Sequence, residues 1–166
     1  MKFGRFYEEF KVGDVYEHWP GRTISEADDT WFSLLTQNQN PLHIDAHYTK
    51  EHTSHGKPLV NGILIMAIGV GQSVPDVSGR AIANLGYMDV EHLGPTFHGD
   101  TIYSRSTVVS LRETSKGDTG IVETRLEIRN QREIPIMSLR RKTLVPKRGH
   151  PTLGEGKLPQ DRGART

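Results

Sequence analysis

The sequence predicts an α+β fold in which a long antiparallel sheet wraps around one central apolar helix, and three observations carry that prediction. Residues 62–74, GILIMAIGVGQSV, are apolar on nearly every side, as suits a helix enclosed by its own fold. From residue 81 the pattern changes to four strand-like runs in succession, over 81–93, 101–115, 120–131 and 134–146. Within the third run, Ile121, Glu123, Arg125, Glu127 and Arg129 alternate with Val122, Thr124, Leu126 and Ile128, so one sheet face is wet and the other dry.

Taken in order, residues 3–20 mix aromatics with charges around the turn signal Gly13-Asp14, and Val15, Tyr16, Glu17 and His18 suit a short strand. A helix follows. Ser25 can cap it with Asp28 at the third helical position, and Ile24, Ala27, Trp31, Leu34 and Leu35 recur near helical spacing. Pro41 ends that helix. Residues 41–58 hold His43, Asp45, His47, His52 and His55 without either periodicity, and read as a long structured loop of the kind that carries function. Pro75 is expected to stop the central helix. Turn material at Gly94-Pro95, Lys116-Gly117-Asp118 and Gln131-Arg132-Glu133 separates the later strands, so a consecutive antiparallel meander is the expected assembly. A helix this apolar needs cover all round, and a second subunit completes what one curved sheet leaves open; a homodimer is expected. One domain over 1–148 and a mobile Gly-, Pro- and charge-rich tail over 149–166 account for the 166 residues.

Composition excludes several function classes. Lys and Arg number 21 against 20 Asp and Glu, a formal charge of +1, so no whole-molecule field draws the chain to nucleic acid or membrane. Cysteine is absent, which removes disulfides, thiolate metal sites and cysteine nucleophiles. The first ten residues lack a secretory apolar region and the longest apolar stretch, 62–70, is too short to span a bilayer, so a cytoplasmic protein is expected. The basic residues Arg140, Arg141, Lys142, Lys147 and Arg148 read either as a solvated strand end or as a landing site for substrate phosphates. The histidine-rich loop invites a metal reading, but its spacing does not bring three ligands to one face; no metal and no cofactor are expected.

Three segments then carry a resemblance. Gln37-Asn38-Gln39-Asn40-Pro41-Leu42-His43-Ile44-Asp45 resembles the hydratase motif of the MaoC-like family at Asn40, Pro41, Leu42, His43 and Asp45. Gly56-Lys57-Pro58-Leu59-Val60-Asn61-Gly62, leading into the apolar run, looks like the family's entry to its central helix. The stretch from His92 to Ile102, with Gly99-Asp100-Thr101, resembles the turn before a long strand. The resemblance spans roughly residues 8–148 and looks closest to a single-domain branch related to mesaconyl-CoA or β-methylmalyl-CoA hydratases. It implies a hot-dog fold and reversible addition of water to the double bond of a 2-enoyl thioester.

The resemblance further implies that His43 is the general base toward water, and imidazole, which changes protonation near neutral pH, suits that role. Gly62 would offer its backbone N–H to the thioester oxygen, with no side chain to hinder close approach. Asn40, Pro41, Leu59, Val60 and Asn61 are expected to line the substrate pocket, and Asn61 also suits a helix cap. The family's catalytic Asp stands five residues before its His, where this chain has Asn38. An amide cannot accept and return a proton near neutral pH. Three readings follow: His43 works alone while Asn38 and Asn40 hold the water; Asp45 or a substrate carboxylate supplies the partner; or the pocket binds acyl thioesters without turning them over. A hot-dog thioesterase is the enzymatic rival, disfavoured because residues 62–74 contain no Asp or Glu. A dicarboxylic acyl group would call for a cation, with Arg22, Arg80 and Arg140 as candidates.

Overall fold

Residues 3–151 are described by a computed structural model. The chain runs β1 (Val15–Thr23), α1 (Glu26–Leu35), α2 (Pro41–Ile44), α3 (Ala46–His52), α4 (Gly62–Ser73), β2 (Ala83–His92), β3 (Thr101–Glu113), β4 (Thr119–Asn130) and β5 (Pro135–Pro146). The five strands form one antiparallel sheet in the order β1-β3-β4-β5-β2, with α4 packed on its dry face, the expected α+β hot-dog arrangement. The tail expected over 149–166 lies mostly outside the described residues.

The meander is only partly realised. β3, β4 and β5 pair in succession, but β2 crosses to the far edge and pairs with β5. The free edge of β3 is already taken by β1, which runs to Thr23 rather than ending at His18. The register of β1 shifts between His18 and Arg22, so Pro20 sits in a bulge of an edge strand, where its missing N–H is tolerated.

α4 begins where Asn61 accepts the Ile63 N–H on its side chain at 3.0 Å. Leu64 and Ile65 join Ile102, Leu126, Ile128, Ile136, Met137 and Leu139 in the core. Gly69 lets the helix axis approach the sheet: a β-carbon there would lie 2.3 Å from Ile128 Cδ1. Pro75 does not stop the winding, which continues as a π-helical turn over Val74–Ser78 with the proline in its first turn, where an N–H is not needed. Nor is the helix covered on every side, since Ile63, Ala67 and Gly71 form an exposed stripe along it.

Two further expectations are corrected. The face of α1 holding Trp31, Leu34 and Leu35 is exposed, while Asp29 and Ser33 are fully buried, because the ground beneath the helix is polar. Residues 41–58 are not a plain loop: Asn40 caps α2 and Asp45 caps α3, two helices too short for apolar periodicity to register.

The late basic cluster is spoken for within the fold. Arg140 pairs with Asp89 and Glu123, Lys142 with Glu123, Lys147 with Glu113 and Arg148 with Glu9. Arg141 turns inward onto Ser73, Ser78 and Asn84 at the end of α4, where helix carbonyls favour a cation, although burial lowers its pKa. These pairings favour the strand-end reading over the phosphate site.

Candidate active site

The site forms where three chain segments are stapled together. The Leu59 N–H donates to Leu42 O at 2.9 Å and the Val60 N–H donates to Thr96 O at 2.9 Å, which pins the entry to α4 between α2 and the β2–β3 connection. His43, the third residue of α2, places its Nδ1 2.8 Å from Leu59 O. A carbonyl oxygen only accepts, so in the neutral ring Nδ1 carries the hydrogen and Nε2 is left as a proton acceptor.

That ring faces a cleft of about 400 Å³ whose wall includes Leu59, Val60, Asn61 and Gly62. The first helical residue of α4, Gly62, has no carbonyl one turn earlier to receive its N–H, and the positive end of the helix dipole lies in the cleft. Five of the expected site residues therefore meet in one place. The other three do not line this cleft. Asn38 accepts the Asn40 N–H on Oδ1 at 3.1 Å, Asn40 accepts the Leu42 N–H at 3.0 Å, and Pro41 opens α2, so together they build the turn that presents His43. Asp45 accepts the Tyr48 N–H at 2.8 Å as the cap of α3.

Sequence reasoning missed the support behind the helix start. Asp29, fully buried, accepts the Asn61 N–H at 2.8 Å on one oxygen and stands 3.0 Å from His98 Nε2 with the other. The signal was present as Asp29 and Ser33, polar residues four apart on a helix otherwise judged by its apolar ones. Also missed was His92, at the end of β2, which lines the same cleft. Its ring occupies the space that a side chain on Gly62 would fill, with Cε1 2.2 Å from where a β-carbon would stand. Thr96 forms another part of the wall, and its buried hydroxyl has no protein partner.

A second histidine network has the hydrogen-bond order of a hydrolase triad but not its access. His18 Nδ1 lies 2.9 Å from Asp76 and Nε2 lies 2.8 Å from Ser106 Oγ. Ser106 is 1% exposed, so no substrate carbonyl reaches its hydroxyl and the network is internal structure. Burial lowers the His18 pKa, against the opposing pull of Asp76. Among the described residues no group of three or more His, Cys, Asp or Glu is placed to hold a metal ion. Of the candidate cations, Arg22 pairs with Asp28, Arg140 with Asp89 and Glu123, and Arg80 lies over the Phe6 ring; none lines the cleft.

Comparison with known proteins identifies the family and the fold. The family model described as MaoC like domain matches residues 9–130. A mesaconyl-CoA hydratase from Cereibacter sphaeroides is 32% identical over 145 residues, 87% of this chain and 42% of that protein. A beta-methylmalyl-CoA dehydratase from Chloroflexus aurantiacus is 31% identical over 87% of this chain and 41% of that protein. The chain thus spans about two fifths of the length of these curated relatives. A solved structure described as a monoamine oxidase regulatory protein from Archaeoglobus fulgius superposes with a TM-score of 0.78 at 31% identity, covering 88% of this chain and 97% of that one.

Proposed function

The chain belongs to the MaoC-like domain family, and from that membership we propose that it is a cytoplasmic hydro-lyase that reversibly adds water to the double bond of a 2-enoyl-CoA thioester. The observation that carries the reading is the His43 ring, locked by Leu59 O with Nε2 free, in one cleft with the N-terminus of α4. As water attacks the β-carbon, Nε2 takes its proton and the alkene electrons move toward the thioester oxygen. The Gly62 N–H and the helix dipole meet that developing charge, and would be worth several kcal/mol in a site shielded from solvent. Asn38 and Asn40 hold the turn that presents His43, each accepting a backbone N–H of that turn on its side-chain oxygen. The names of the relatives point to a branched, dicarboxylic acyl group as substrate.

A second copy of the chain completes the site. The stripe Ile63, Ala67, Gly71 on α4, of which Ile63 lines the cleft, and Leu85, Val90 and Leu93 on and beside the edge strand β2 are exposed apolar ground, and two copies joined there would cover it. The test is incubation with a panel of 2-enoyl-CoA and 3-hydroxyacyl-CoA compounds, mesaconyl-CoA included, following absorbance of the conjugated double bond. Loss of that absorbance is expected with at least one enoyl-CoA. A flat panel together with measurable acyl-CoA binding would overturn hydration in favour of a binding protein, and release of free CoA would show a thioesterase.

A further inference from the structure

Hydration of an enoyl thioester requires two proton transfers, one from water at the β-carbon and one onto the α-carbon, and without a second group in the cleft His43 would have to make both. We propose that His92 is the second proton-transfer group, delivering a proton to the α-carbon in hydration and removing it in dehydration. This rests on the reaction proposed above. His43 and His92 are the two titratable side chains in the wall of the cleft.

Position supports the division of labour. The His92 ring lies directly over Gly62, with Nδ1 and Nε2 3.0 and 3.1 Å from where a β-carbon on that residue would stand. If the Gly62 N–H holds the thioester oxygen, the α-carbon is bonded to the carbonyl carbon beside it, and both ring nitrogens are in its neighbourhood. The β-carbon, one bond further on, is left to the water activated by His43.

Availability supports it as well. His43, His18 and His98 each commit a ring nitrogen to a protein partner, whereas among the described residues neither nitrogen of His92 makes a hydrogen bond. The neighbouring alternatives are engaged or unsuited: the Asn38 amide does not titrate and serves the Asn40 N–H, and Asp45 caps α3.

The step balances without any co-reactant. In hydration the water oxygen bonds to the β-carbon while its proton passes to His43 Nε2; the π-electron pair shifts through the α-carbon onto the thioester oxygen. As that enolate collapses, a new C–H bond forms at the α-carbon with the proton of the His92 imidazolium. His43 then releases its proton to solvent and His92 takes one up, so the net change is one water added. Dehydration runs the same transfers in reverse.

The competing explanation is that His92 merely fills the hollow over Gly62, and a phenylalanine would fill it equally well. The wild type and the variants His92→Phe, His92→Gln and His92→Ala are therefore assayed on the enoyl-CoA that the wild type turns over fastest, with thermal unfolding as the check on folding. The expected result is a fall in kcat of about 100-fold or more for His92→Phe and His92→Gln with KM within threefold. Added imidazole should restore part of the kcat of His92→Ala, saturably, and none of that of His92→Phe. A folded His92→Phe or His92→Gln protein with kcat within threefold of wild type overturns the assignment while leaving the hydratase reading intact. A wild type inactive on every enoyl-CoA overturns that reading and this assignment with it.

Discussion

His43 owes its usefulness to one carbonyl. With Nδ1 donating to Leu59 O, the ring cannot flip without losing a hydrogen bond, and the basic nitrogen stays on the side of the cleft. Substituting Gln for His43 should lower kcat by about 10²–10⁴-fold, the usual range for a general base, with little change in melting temperature. Turnover within threefold of wild type would refute the assignment. His18 predicts something different, a pH dependence of stability. Its pKa is lowered in the folded protein, chiefly by burial, so the unfolded chain binds the proton more readily. The ring's contribution to stability is therefore complete above the ordinary imidazole value, about pH 6.5, and is lost as pH falls below it toward the lowered folded value. Melting temperature should drop on acidification from pH 7.5 to 5, and less steeply in His18→Asn; parallel curves for the two proteins would show that the ring is not responsible.

At the scale of the element, α4 is held at its start by a residue three helices earlier in the chain. Asp29 accepts the backbone N–H of Asn61, the residue whose side chain caps α4. Asp29→Ala strands that buried N–H and should cost about 1–3 kcal/mol. Because Gly62 follows Asn61 directly, kcat should fall as well, whereas Asp29→Asn, whose amide oxygen can still accept, should retain most of both. Equal loss in the two variants, measured by denaturant unfolding and turnover, would mean that charge rather than the acceptor matters. The ends of α1 were legible in sequence, down to the Ser25–Asp28 capping box, because capping is a local matter of side chains reaching adjacent backbone. Its buried face was not. Trp31, Leu34 and Leu35 have the right spacing for a core stripe, yet the surface under α1 offers Asn61 and His98, which need acceptors, and Asp29 and Ser33 face them instead.

At the scale of the whole molecule, one chain leaves a stripe of its central helix and the apolar side chains of the β2 edge exposed, and the proposed second copy would cover both. Light scattering should report twice the 18.6 kDa mass of the chain at micromolar concentration. Ala67→Glu, which places a charge in the middle of the exposed stripe, should give the single-chain mass and lower turnover, because an unpaired charge is costly to bury. A wild type that runs at the single-chain mass would sink the dimer.

The sequence by itself determined the class of fold, the strand-forming runs, the central helix with its Asn61 cap and the five residues that meet in the cleft. All of these follow from short-range rules: alternation, apolar enclosure, capping, and a motif contiguous along the chain. Only the tertiary structure decided which edge β2 joins, which face α1 buries, and that His92 comes to rest on Gly62 in the wall of the cleft that His43 also lines. Those outcomes join residues 30 or more positions apart, and their physical cause is competition for one sheet edge and for a few buried acceptors, which no local pattern of side chains records.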